Sequence, residues 1–112
     1  MWNSVAKVNE FSEQTLKTVI VDNKAIMISK VGDAFYAVDA ICMHKFGYLP
    51  MGSIKDSCIT CPAHGAQFDL KTGKMTKGRK PKDADPNLPL IPVPDLKAYL
   101  VKVENDDVKI DV

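Results

Sequence analysis

The stretch Cys42-Met43-His44, followed after sixteen residues by Cys61-Pro62-Ala63-His64-Gly65, holds both histidines and two of the three cysteines of this 112-residue chain. Each half offers one thiolate and one imidazole, a mixed sulfur and nitrogen donor set suited to a metal. Two inorganic readings fit that chemistry: tetrahedral zinc in a structural site with two cysteines and two histidines, or an iron–sulfur cluster. Ligand order helps to separate them. Finger-type zinc sites gather two cysteines in one half and two histidines in the other, whereas here each loop supplies one of each. A loop of that kind can give its thiolate to one metal and its imidazole to another, which favours a two-iron centre held between two loops.

The flanking sequence reads as short strands divided by turn chemistry. Lys17 to Val21 is β-branched and ends at Asp22-Asn23; Lys24 to Lys30 ends at Gly32-Asp33; Ala34 to Val38 follows. Together they predict a three-strand antiparallel meander. Short strands are expected at Ser57 to Thr60 and Gln67 to Leu70. A closing hairpin is expected from Ala98 to Val103 and Val108 to Val112 across Glu104-Asn105-Asp106-Asp107. Ser12 ahead of Glu13 and Gln14 allows a helical turn within Asn9 to Leu16. Five of the seven prolines fall in residues 78–95, which predicts a long loop there, because proline removes a ladder donor and fixes φ. The fold expectation is all-β: one domain, 1–112, of small antiparallel sheets. The two ligand loops sit at one end, within about residues 40–70.

Composition excludes several classes. Apolar residues make up 46% and charged residues 26%, with a formal net charge of +1, so the charge balance points to neither nucleic acid nor a membrane surface. Arg79 is the sole arginine, which argues further against base or phosphate readout. No secretory leader is visible at Met1-Trp2-Asn3-Ser4, and apolar runs reach only about five residues against the ~20 needed to span a bilayer. Three cysteines with two reserved for metal leave no disulfide, which suits a reducing, cytoplasmic setting. The third, Cys58, fits a small buried apolar residue; its functional reading is a redox-sensitive thiol or an alternative ligand. The basic run Lys71, Lys74, Lys77, Arg79, Lys80 and Lys82 suits either a solvated, turn-rich face or a docking surface for an acidic redox partner.

The pattern Cys42-x-His44, Gly47-x-Leu49-x-x-Gly52, Cys61-Pro62-x-His64-Gly65-x-x-Phe68-Asp69 and Thr72-Gly73 resembles the Rieske domain, and in particular the small soluble Rieske ferredoxins. It covers about a third of the chain directly. The resemblance implies one [2Fe-2S] cluster. Cys42 and Cys61 would hold the buried iron, and His44 and His64 the outer, reducible one. Pro62 and Gly65 would shape the second loop, and the proline-rich segment near Pro81 to Pro86 would cover the cluster from a third side. Rieske proteins of respiratory complexes carry a membrane anchor, an extra cysteine in each ligand loop and hydroxyl donors beside the cluster. Here Gly47 and Ala63 stand where the extra cysteines would be, Ala66 in place of the serine and Phe68 in place of the tyrosine. Lacking those hydroxyls, the centre is expected near the ~−150 mV end of the Rieske range rather than ~+300 mV.

The function that follows is one-electron transfer between a reductase and an oxygenase or other redox partner, without catalysis by this chain. An oxygenase would need a further iron held by two histidines and a carboxylate, and the cluster already takes both histidines. The competing class is a zinc-loaded structural module or the small subunit of a larger reductase.

Overall fold

Three tight turns carry polar residues in left-handed backbone at both central positions: Asp22-Asn23 (φ 50° and 64°), Asp56-Ser57 (51° and 67°) and Asn105-Asp106 (53° and 65°). Such turns match the right-handed twist of flanking strands, and short polar side chains tolerate that conformation better than others. Each therefore closes a two-residue hairpin. A fourth is closed by Gly32-Asp33, with Gly32 at φ 60°.

The computed structural model describes residues 1–12, 16–42, 47–62, 65–80, 87 and 89–112. Among the described residues twelve strands run in chain order: β1 Trp2–Lys7, β2 Leu16–Val21, β3 Lys24–Val31, β4 Ala34–Asp39, β5 Ile41–Cys42, β6 Gly47–Tyr48, β7 Ser53–Lys55, β8 Cys58–Thr60, β9 Gln67–Asp69, β10 Met75–Lys77, β11 Ala98–Glu104 and β12 Asp107–Asp111. Two short 3-10 turns, Val8–Glu10 and Leu49–Met51, are the helical elements among the described residues. The strands form a six-stranded sheet (β1-β12-β11-β4-β3-β2), a four-stranded sheet (β10-β9-β8-β7) and the β5-β6 pair, antiparallel at every pairing.

The all-β expectation holds, and so do the β2–β3–β4 meander and the closing β11–β12 hairpin. The helical turn expected after Ser12 falls on residues 13–15, outside the described residues; a separate 3-10 turn stands at Val8–Glu10. Five strands escape a sequence reading: β1, β5, β6, β7 and β10. The proline-rich stretch contributes one isolated antiparallel bridge, Arg79 to Ile91, and otherwise has no strand among its described residues.

Strand β3 divides the interior. Its run Ala25-Ile26-Met27-Ile28 is apolar without alternation, as expected of a strand covered on both faces. Ile26 and Ile28 point into a core with Phe11, Ala37, Tyr99, Val108 and Ile110. Met27 points the other way, into a core with Val38, Leu49, Ile59, Cys61, Ala66, Phe68 and Leu70. This second core lies between the β3–β4 pair and the four-stranded sheet, and Cys61 belongs to it. At the opposite end of the large sheet, charges pair off: Lys7 with Asp107, Lys17 with Glu10 at 2.9 Å and Lys109 with Glu104 at 3.0 Å. These contacts are exposed and contribute little to stability.

Because Ile26 and Met27 serve separate cores, Ile26→Ala and Met27→Ala should each cost about 2–5 kcal/mol. In urea unfolding the double variant should come within about 0.5 kcal/mol of their sum. Ile20→Ala, on the exposed edge strand, should stay within roughly 1 kcal/mol of the parent.

Candidate metal centre

Both ligand loops spring from places where backbone is pressed against backbone. In the first, Cys42 and Gly47 are paired across the β5–β6 hairpin. The hairpin is tied at its base: the Leu49 N–H donates to the Ala40 carbonyl at 2.9 Å, and the Ala40 N–H to the Ala25 carbonyl at 3.0 Å. In the second, Thr60 and Gln67 pair at the ends of β8 and β9, and residues 61–66 form the loop between them. The Cys61 N–H donates to the Ala66 carbonyl at 2.7 Å and the Gly65 N–H to the Cys61 carbonyl at 3.1 Å. Gly65 sits at φ 78°, a left-handed conformation that glycine adopts without strain.

The two loops are joined through Gly52. After β6 the 3-10 turn folds back, with the Gly52 N–H on the Leu49 carbonyl at 2.8 Å. A side chain at position 52 would overlap the Thr60 carbonyl oxygen. Ser53 then pairs with Thr60, the residue before Cys61. Leu49, which leaves the first loop, is buried in the same core as Cys61. The Cys42 hairpin and the Cys61 loop thus emerge side by side.

Of the four residues singled out by sequence, Cys61 is described in full and Cys42 in its backbone; His44 and His64 lie outside the described residues. Cys61 is 1% exposed, packed in an apolar core and free of any disulfide. A sulfur placed there is shielded from solvent by apolar neighbours. That donor chemistry fits iron: a dry sulfur ligand on a loop adjoining a second cysteine-bearing hairpin. Cys58 is different. It is half-buried, opposite Asp69 on the outward face of the small sheet, with the Thr76 hydroxyl 4.0 Å from its sulfur. The reading of Cys58 as a buried core residue gives way to a surface-facing one, because neighbouring Ile59 takes the inward position.

A contact not foreseen from sequence steadies the strand leading into Cys42. The Tyr99 hydroxyl donates to Asp39 Oδ1 at 2.7 Å, the Lys97 N–H reaches Asp39 Oδ2 at 3.3 Å, and Lys97 Nζ lies 5.2 Å from the Tyr99 ring centroid. Asp39 ends β4, two residues before Ile41, so β11 is latched to the base of the first ligand hairpin. Burial, and then the Asp39 carboxylate, raise the Tyr99 phenol well above its ordinary pKa.

With this geometry in view, the comparisons decide the family. The Rieske [2Fe-2S] domain model matches residues 1–99. The chain belongs to the Rieske family. Its cofactor is accordingly a [2Fe-2S] cluster. Among Rieske relatives, sulredoxin of Sulfurisphaera tokodaii is 30% identical over 112 residues, covering all of this chain and 99% of its own. The ferredoxin of carbazole 1,9a-dioxygenase from Nocardioides aromaticivorans IC177 superposes with a TM-score of 0.80 at 28% identity, over 97% of this chain and 95% of that one. A chain in a solved complex of reduced oxygenase and oxidized ferredoxin in carbazole 1,9a-dioxygenase superposes at 0.76 with 25% identity, over 97% and 91%. Family membership selects the iron–sulfur reading of the ligand set over zinc.

The latch carries a pH signature. A raised phenol pKa leaves stability intact below the unfolded tyrosine value of about 10, and stability falls as pH climbs beyond it. Tyr99→Phe should flatten that alkaline slope in denaturant titrations at pH 9–12. Beyond the Cys61 loop, Ala66 and Phe68 are both buried in the core of Cys61. The paired change Ala66→Ser with Phe68→Tyr should raise the midpoint potential by redox titration, because added hydroxyls stabilise the more negative reduced state.

Proposed function

We propose that this chain is a one-electron carrier in which Cys42, His44, Cys61 and His64 hold the cluster, and that it passes electrons from a reductase to an oxygenase. The observation that carries the reading is the dry, disulfide-free Cys61 on a loop set beside the Cys42 hairpin. The cluster, when bound, accepts and releases one electron. The chain supplies the rest. The Met27, Leu49 and Phe68 core keeps water from the Cys61 side, and the Ala40 and Gly52 contacts hold the two loops in one place. Both histidines of the chain belong to the proposed ligand set, leaving none for a two-histidine mononuclear iron, so oxygen chemistry falls to the partner. The relatives support this division of labour: one is the ferredoxin of a dioxygenase, and a related chain lies in a complex with an oxygenase.

We place the carrier in the cytoplasm as a single unit spanning the chain. Neither Cys58 nor Cys61 is in a disulfide, which suits a reducing compartment. Among the described residues no helix is long and apolar enough to cross a membrane.

Purified protein should contain two irons and two acid-labile sulfides per chain and, after dithionite reduction, give an electron paramagnetic resonance signal with average g below two. His64→Ala and Cys61→Ser should abolish the signal. A colourless protein holding zinc without sulfide would overturn the assignment.

A further inference from the structure

Charge is unevenly laid along this chain. Six of its fifteen basic residues and none of its fourteen acidic ones fall in residues 71–82, so the rest of the chain carries a net −5. The structure divides that basic run in two. At the β9–β10 turn, which carries Lys71 and Lys74, carboxylates fasten the backbone: Asp69 Oδ1 accepts the Lys71 main-chain N–H at 2.8 Å, and Asp95 Oδ1 that of Met75 at 2.9 Å. Toward the ligand loops, Lys77, Arg79 and Lys80 enter no ion pair among the described residues, whereas Lys7, Lys17, Lys102 and Lys109 all do. Asp83 and Asp85, the next acids in sequence, lie outside the described residues.

These three cations climb the flank of the second ligand loop. Lys77 stands opposite Gln67, just beyond the loop. Gly78 is pressed so closely on the Ile91 backbone that no side chain would fit. Arg79 and Ile91 exchange both backbone hydrogen bonds at 2.9 Å, which fixes the path of the segment. Lys80 then lies along the loop itself, its Cε 3.9 Å from where a Cβ on Gly65 would be. Beside this strip Leu90 and Ile91 are exposed, at 40% and 36%, giving apolar area next to the charge.

We propose that Lys77, Arg79 and Lys80, with Leu90 and Ile91, form the docking surface for a redox partner protein whose complementary face is acidic. This rests on the carrier reading. Cations beside the site of electron entry and exit, without an ion pair among the described residues, attract an acidic face, raise its encounter rate and orient it with the ligand loops inward. The apolar pair supplies contact area once water is expelled.

The test uses dithionite-reduced holoprotein, its [2Fe-2S] signal verified first, oxidised in stopped flow by ferricyanide and by tris(phenanthroline)cobalt(III). Midpoint potentials are measured for every variant, so that driving force is separated from encounter. For the parent, ferricyanide oxidation should slow as ionic strength rises. Lys77→Glu with Lys80→Glu should cut that rate several-fold at low salt, reverse its salt dependence and speed the cobalt reaction. Lys30→Glu with Lys102→Glu makes the same change in net charge away from the loops, and should have less than half the effect. Poly-L-glutamate, standing in for an acidic protein face, should inhibit the ferricyanide reaction of the parent but not of the Lys77/Lys80 variant. Equal responses of the two double variants, or rates indifferent to salt and to poly-L-glutamate, would overturn the docking surface while leaving the carrier intact. Absence of the cluster signal would overturn the carrier reading, and this inference with it.

Discussion

The Thr60 carbonyl leaves no room for a side chain at position 52, and the placement of both ligand loops depends on that contact. A residue with a Cβ would push the exit of the first hairpin away from β8, unmaking the Ser53–Thr60 pairing that sets where Cys61 begins. Packed interiors transmit such displacements rather than absorb them. A missing methyl group thus fixes how the Cys42 hairpin and the Cys61 loop sit side by side.

Around that contact the molecule keeps two environments close together. On the inner side, Cys61 shares a waterless core with Leu49, Ala66 and Phe68. On the flank run exposed lysines and an arginine, held in place by the Arg79–Ile91 bridge. Strand β3, buried on both faces, backs the inner side. A low-dielectric interior strengthens any charge interaction that reaches into it, so cations on the rim act on the site more strongly than the same charges would in open solvent.

The parts of this design that sequence disclosed were local. Two-residue turns such as Asp22-Asn23 and Asn105-Asp106 announce hairpins by their own chemistry, and the β-branched run of β2 and the apolar run of β3 announce strands. The family was legible from residue type and order, since each histidine follows a cysteine at short spacing, Cys42-x-His44 and Cys61-x-x-His64. What stayed hidden depends on distant partners. β1, with Asn3 and Ser4 near its start, shows no alternation; it is a strand because β12 pairs with it, across a register shift between Ser4 and Ala6. β7 and β10, three residues each, are too short to carry a pattern. The Asp39–Tyr99 bond joins residues sixty positions apart, beyond the reach of any motif. Cys58 was misjudged because alternation in a three-residue strand does not tell which face is inward.

That last bond has a consequence for assembly. The base of the first ligand hairpin is secured by residues of β11, and Leu96 reaches back to the Gly73 carbonyl at 2.7 Å beside the β9–β10 turn. Long-range closures of this kind form late, since their loop entropy must be met before they reward the chain. During synthesis the cysteine loops leave the ribosome well before the segment that steadies them. A chain stopped short of Tyr99 therefore carries both cysteines without the Asp39 contact that steadies the base of the Cys42 hairpin.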